Sequence, residues 1–342
     1  MMTHQTIVTT ETANKIQNSM KAARLFSIGD IRLVEESVPS PRPGEVLIKV
    51  TTVGLCGSDL HWFSEAGIGD ALLKKPLVLG HEFAGVTESG QRVAVDPAIS
   101  CGNCEPCRAG NPNLCTDLRF AGHDEQDGGL RQWITWPEKC LHPIPNTLSD
   151  SDGCMLEPLG IAIHAVDLGK IRTGMRIGVF GCGPIGLLII QTAKAAGATE
   201  IIVTEPLPHR MAAAKKLGAI PWLPGEEVDV AFECAGANKA VEDAFLAVKP
   251  GGRVVLVGIP KNDQTLFTAS VARRKGLTIL LVRRMKFTYP RAIKLIQSGQ
   301  VDVHTLITHK FPLDDIGQAF ATAQRRDGLK IVVQVSQEEP KV

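Results

Sequence analysis

A chain of 342 residues and 36.8 kDa has room for two domains of ordinary size, each with its own core. Lys+Arg 37 against Asp+Glu 36 leaves a formal charge of +1, which argues against a basic surface for nucleic acid or anionic membrane. Hydrophobic residues at 44% and charged ones at 21% exclude a disordered chain, and the unusual count is nine cysteines.

Residues 1–19 are polar and read as an N-terminal extension, lacking the basic-then-apolar pattern of a secretory signal. The longest uncharged run, between Arg176 and Lys194, is broken by glycines and a proline and falls short of a membrane span. The expectation is a cytoplasmic protein with no membrane partner. Its cysteines are then metal ligands or reduced buried thiols rather than disulfides.

From Met20 to about Pro145, short apolar runs (Glu45–Val50, Arg92–Val95, Gln132–Trp136) alternate with Gly and Pro, as in a barrel or sandwich. Within this half Cys56, Ser58 and His61 fall close together, and His81-Glu82 follows. Cys, His and Glu are competent zinc ligands, and a set of three leaves the fourth position open to water or substrate. Each also has an ordinary structural role open to it: Cys56 as a small buried residue, His81 as a core imidazole, Glu82 as an ion-pair partner.

Cys101, Cys104, Cys107 and Cys115 crowd into a loop (about 98–118) interrupted by Gly102, Pro106, Gly110 and Pro112. Such a loop has no core of its own, and four thiolates around Zn2+ replace that core with coordination energy. A four-cysteine site is closed to substrate and therefore structural. Buried free thiols and a redox C-x-x-C pair are the alternatives; a nucleic-acid zinc ribbon is disfavoured by the neutral charge. Further on, Glu157 lies in the apolar stretch Leu156-Glu-Pro-Leu159, where a carboxylate needs a partner, a metal or its water being one.

From Arg176 onward strands and helices alternate: strand Arg176–Phe180, helix Ile185–Ala196, strand Glu200–Thr204, helix Arg210–Leu217. Strands Val228–Phe232, Arg253–Val257 and Leu277–Val282 follow. This rhythm predicts a parallel α/β sheet. Thr288 ahead of Pro290 predicts a capped helix running to Ser298, before a last helix (Ile316–Arg325) and strand (Lys330–Val335). The loop Gly181-Cys-Gly183-Pro184-Ile185-Gly186 joins the first strand to its helix, and Glu205 ends the next strand nineteen residues after Gly186. That order is the one used to bind a dinucleotide. Glycines admit the pyrophosphate, the helix N-terminus favours its charge, and Glu205 accepts the ribose hydroxyls. A carboxylate there repels a 2′-phosphate, so NAD is favoured over NADP, with Arg210 packing on the adenine. A glycine-rich turn without a ligand is the plain alternative.

Together, Gly-Leu-Cys56-Gly-Ser58-Asp-Leu-His61, Lys74-Lys-Pro-Leu-Val-Leu-Gly-His81-Glu82, the four-cysteine lobe, Leu156-Glu157-Pro158-Leu and the Gly181 loop resemble the zinc-containing medium-chain dehydrogenase/reductase family. Ile68-Gly-Asp, Arg284 ahead of Pro290, and Ile307-Thr-His-Lys-Phe-Pro312 are similar to its sorbitol (polyol) branch, beside the L-threonine dehydrogenase branch. The resemblance implies an α/β protein. A GroES-like β-rich catalytic domain (20–160) is completed by a C-terminal return (290–342), with a doubly wound Rossmann NAD-binding domain (161–289) between. It implies that Cys56, His81 and Glu82 hold a catalytic zinc and that Glu157 binds that zinc or orients its water. Ser58 is then the first proton acceptor and a substrate contact, and His61 a later relay. Gly181, Gly183, Pro184, Ile185, Gly186, Glu205 and Arg210 are implied on NAD, and Arg284 on the substrate or nicotinamide.

The implied cofactors are NAD and two zinc ions per chain; the implied partners are a small alcohol or polyol and further copies of the chain, as a dimer or tetramer. The implied reaction is reversible oxidation of a secondary alcohol of a polyol to a ketone by hydride transfer. L-Threonine 3-dehydrogenase or 2,3-butanediol dehydrogenase activity is the alternative. Three features depart from the sorbitol pattern: Met285 replaces a frequent aromatic, the stretch Gly218–Val228 implies a missing or abbreviated helix, and the four-cysteine lobe is one that threonine and butanediol dehydrogenases keep.

Overall fold

The computed structural model describes residues 19–336, so the expected N-terminal extension lies almost wholly outside the described residues. The first half is built on the strand Glu45–Gly54, whose later residues are buried on both faces. Around it forms a seven-stranded sheet in the order Leu141–Pro143, Arg92–Val95, Glu82–Thr87, Glu45–Gly54, Lys330–Gln334, Ile307–Pro312, with Trp133–Pro137 also paired to the central strand. Two of its strands come from the chain's C-terminal part, so this sheet is incomplete until the last described residues are in place. The register sets Gly54 opposite Glu82 on one side and opposite Val332 on the other. Its core gathers Ile48, Val50, Val53, Phe83, Trp136 and Val333 with Phe320 from the helix Ile316–Gln324. Burying side chains of this size stabilises by about 1.5–3 kcal/mol each.

The second half is a six-stranded sheet in which every pairing is parallel. Its order is Ile220–Pro221, Glu200–Thr204, Arg176–Phe180, Val228–Glu233, Val248–Leu256, Thr278–Leu281. Sequence order reverses between Arg176–Phe180 and Val228–Glu233, and that reversal opens the crevice where doubly wound sheets take their ligands. The expected strands and helices are present with ends shifted by a residue or two, except that Val248–Leu256 starts earlier than the apolar run suggested. No helix separates Pro221 from Val228. Trp222 packs edge-on against Phe180 at 5.7 Å, and its indole N–H donates to the Glu226 carbonyl. One aromatic thus covers part of the sheet face where a crossover helix would otherwise lie.

The helix Leu156–Gly169 ties the halves together. Its Leu156, Leu159 and Ile163 share one core with Ala84 and Val332 of the first sheet and with Val179 and Val203 of the second. Gly160 lets the segment before the next helix come close, since a Cβ there would stand 2.2 Å from Met285 Sδ. Met285 is therefore spent on packing and is buried. The helix Tyr289–Gln297 begins at Thr288 as expected, but the hydroxyl does not cap it. It donates instead to Met285 Sδ at 3.2 Å, because both side chains are buried against Gly160.

Candidate active site

Cys56 stands at the N-cap of the helix Gly57–Glu65, and His81-Glu82 opens the neighbouring strand Glu82–Thr87. One ligand atom from each of Cys56, His81 and Glu82 lies within 4.8 Å of the others. Thiolate, imidazole and carboxylate form a donor set suited to zinc, and three of them leave a tetrahedral position open. Glu157 is not part of this tight group. It is buried at the start of its helix, and desolvation, reinforced by Glu82 and Asp96 and opposed by His81 and Lys330, pushes its carboxyl up to about 7.

Two residues that sequence reasoning missed hold this group. Asp59, three residues beyond Cys56, accepts the Cys56 N–H at 2.9 Å and the Gly80 N–H at 3.1 Å, and its Oδ1 lies 3.5 Å from His81 Nδ1. It thereby ties the segment of Cys56 to that of His81 and orients the imidazole, the arrangement a carboxylate has behind a histidine able to bind metal. Burial opposes charge on both partners. Even so, His81 draws Asp59 below the usual carboxylate range, and Asp59 with Cys56 holds His81 well above the usual imidazole value. The local signal was an acid at the third position of a helix, where it reaches back to the N-cap N–H. Lys330, from the C-terminal strand, is the other. Its ammonium pairs with Glu82, and the two side chains are 2% and 1% exposed. Gly54 makes the space: a Cβ there would lie 2.2 Å from Glu82 Oε2 and 2.9 Å from Lys330 Cε.

Ser58 and His61 are half-buried and sit three residues apart on the helix Gly57–Glu65, which places them on one face. Glu65 Oε1 is 3.3 Å from His61 Nδ1. Phe120 lies 5.3 Å from His81 between ring centroids, and the Arg284 guanidinium stacks 3.8 Å above Phe120. Arg284 Nη1 is buried with no hydrogen-bond partner. Burial, with Arg283 alongside, lowers its pKa to about 9.

The four cysteines of the lobe converge. Cys104 Sγ and Cys115 Sγ are 3.8 Å apart, the edge of a tetrahedron about 2.3 Å from its centre to each sulfur. Backbone N–H groups of Cys107 and Thr116 draw the Cys104 thiol down to about 6, while desolvation and then Cys104 push Cys107 up to about 12. Thiols that crowd each other and disagree on charge fit a divalent cation, which accepts all four as thiolates.

The Gly181 loop follows the strand Arg176–Phe180 at the sheet's reversal. Gly181 has φ +104° and Gly186 lies so close beneath it that a Cβ would be 2.0 Å from the Gly181 carbonyl. At Gly183, by contrast, a Cβ would meet only Arg210 Nη1 at 3.5 Å, leaving backbone open to a ligand. Pro184, Ile185 and Gly186 form the first turn of the helix Pro184–Ala195, whose free N–H groups suit a pyrophosphate. Glu205 accepts from Cys182 N–H at 2.8 Å and Leu207 N–H at 3.0 Å, which pins the carboxylate beside the loop.

Family models match both halves: the alcohol dehydrogenase GroES-like domain over residues 42–146 and zinc-binding dehydrogenase over 184–298. Sorbitol dehydrogenase of Bacillus subtilis is 35% identical, over 93% of this chain and 98% of its own. The chain belongs to the zinc-containing medium-chain dehydrogenase family. L-Idonate 5-dehydrogenase of Vitis vinifera, another relative, is 34% identical over 89% of this chain and 91% of its own. An Escherichia coli alcohol dehydrogenase solved with NADH superposes with a TM-score of 0.86 at 29% identity, covering 93% of this chain and all of that one. This medium-chain dehydrogenase is thus a GroES-like domain joined to a Rossmann domain, with zinc and a nicotinamide nucleotide as its family's cofactors.

Proposed function

We propose that this chain is an NAD-dependent polyol dehydrogenase that reversibly oxidises a secondary alcohol to a ketone. The observation that carries the reading is the three-ligand group of Cys56, His81 and Glu82, with a position open, in a chain that also carries a complete dinucleotide loop. Cys56, His81 and Glu82 would hold the catalytic zinc, and Cys101, Cys104, Cys107 and Cys115 the structural one. When bound, zinc supplies a Lewis acid for the alcohol oxygen and NAD a hydride acceptor.

The chain's own side chains do the rest. Ser58 takes the substrate hydroxyl proton as it gives up its own, and His61, one helical turn on and steadied by Glu65, passes the released proton towards solvent. Glu157, shifted to about 7, holds or releases a proton near neutrality beside His81, orienting water or substrate at the open position. Arg284 over Phe120 faces the substrate or nicotinamide. Gly181, Gly183, Pro184, Ile185 and Gly186 cradle the pyrophosphate, Glu205 selects the unphosphorylated ribose, and Arg210 packs on the adenine.

Residues 20–160 with 290–342 then serve as the catalytic domain and 161–289 as the NAD domain. The sheet edge Thr278–Leu281 carries Leu281, 75% exposed, and Phe287, six residues further along the chain, is 73% exposed; we infer that such exposed apolar groups suit a second copy in a dimer or tetramer. No helix among the described residues is long and apolar enough to cross a membrane. We assign the enzyme to the cytoplasm, where its thiols stay reduced. The four-cysteine lobe favours a second reading, L-threonine 3-dehydrogenase or 2,3-butanediol dehydrogenase. NADH formation against polyols, diols and threonine separates the two: turnover of sugar alcohols supports the first, and turnover of threonine or butanediol alone replaces it.

A further inference from the structure

The segment that carries Arg284 is held in an unfavourable backbone conformation. Arg284 has φ +54° and Phe287 φ +51°, a left-handed region that non-glycine residues keep only where their surroundings over-determine it. Two contacts bracket Arg284, and both come from the cysteine lobe. Before it, Asn113 Nδ2 donates to the Arg283 carbonyl at 2.9 Å. After it, Lys286 Nζ donates to Asn111 Oδ1 at 2.5 Å and to the Gly110 carbonyl at 3.3 Å. Gly110, Asn111 and Asn113 all lie between Cys107 and Cys115, and Asn113 is buried.

The same lobe also positions the surface under Arg284. Phe120 ends the short strand Arg119–Phe120, which pairs with Ala98–Ile99, two residues ahead of Cys101. The backbone on either side of Arg284 and the ring that its guanidinium covers are thus each tied to the four-cysteine lobe or the strand leading into it, and the ring in turn lies beside His81. We propose that the four-cysteine lobe is a positioning element for the substrate pocket: Asn113, assisted by Lys286, sets the Arg284 guanidinium over Phe120. The catalytic consequence rests on the reading of Arg284 as a substrate contact; the anchoring itself does not.

The test uses the zinc-loaded full chain and the variants Asn113→Leu, Lys286→Met, Arg284→Ala and Asn113→Leu/Arg284→Ala, with zinc content measured for each. Hydrogen exchange over residues 282–288 reads the anchoring without reference to activity. Loss of one buried hydrogen bond corresponds to about a tenfold change. Asn113→Leu is expected to speed exchange there about tenfold, with the strand Glu45–Gly54 unaffected and zinc retained. For whichever sugar alcohol the enzyme turns over, KM should rise about tenfold with kcat nearly unchanged, and the double variant should be no worse than Arg284→Ala alone. Lys286→Met, on the other anchor, should move both readouts in the same direction and serves if Asn113→Leu fails to fold. Exchange at the wild-type rate in the anchor variants, or additive losses in the double variant, overturns the proposal. An unchanged KM in Arg284→Ala removes the substrate role of Arg284 instead, and the exchange rates still decide whether the lobe anchors the segment.

Discussion

Replacing Lys330 by methionine removes the ammonium that pairs with Glu82 while keeping most of the side chain's volume. Both side chains are almost fully enclosed, at 2% and 1% exposure. Burial opposes the Lys330 charge, yet Glu82 and Cys56 outweigh it and hold its pKa above the usual lysine value. Taking one partner from a buried pair strands the other charge, at a cost of about 3–5 kcal/mol. That full loss is expected only in metal-free protein, because zinc at Cys56, His81 and Glu82 would itself compensate the carboxylate. Urea denaturation of wild type and Lys330→Met, each with and without zinc, reads the difference as a shift of midpoint at constant slope. Adding Glu82→Gln to Lys330→Met should recover part of the loss, since an amide replaces the stranded charge. A metal-free variant within about 1 kcal/mol of wild type, or an equal loss with and without zinc, would refute the placement of Glu82 between metal and lysine.

Cys101→Ser should lower the zinc content by one ion per chain and shift the thermal midpoint downward far more than it slows turnover in the folded fraction. A stable variant that keeps all its zinc would remove the structural site. Glu205→Ala should raise the relative use of NADP; an NAD/NADP ratio equal to that of wild type counts against the ribose role. Glu157 binds its proton more tightly folded than unfolded, so its contribution to stability is full below about 4.3 and is lost as pH rises through about 7. Metal-free protein should therefore lose stability across that window, and Glu157→Gln should flatten the slope. A slope as steep in the variant would assign it to another group.

Local features of the chain were legible from sequence. Arg92–Val95, Arg176–Phe180 and Glu200–Thr204 are strands with the expected bounds, because compact apolar runs between turn residues leave few alternatives. The four lobe cysteines converge as their spacing implies, since all four belong to one short loop. The shortened stretch after Gly218 does lack a helix. What sequence reasoning missed depends on contacts between distant segments. Lys330 reads as one charge in an apolar strand until the register of three strands sets that strand beside Gly54 and Glu82. Phe120 gives no signal at all; its place comes from pairing with Ala98–Ile99 and from an arginine 164 residues later. Thr288 is the N-cap residue, as its place ahead of Pro290 implies, but its hydroxyl is drawn away from the helix by a buried methionine sulfur that Gly160 brings close.

In the proposed mechanism one zinc site does the chemistry and the other holds the fold. Zinc per chain, measured alongside the rate of NADH formation for wild type, His81→Ala and Cys101→Ser, tests it most directly. Two ions are expected for wild type and one for each variant, with turnover abolished in His81→Ala and retained at saturating substrate by folded Cys101→Ser. Two ions in His81→Ala, or NADH formation that survives that substitution, would contradict it.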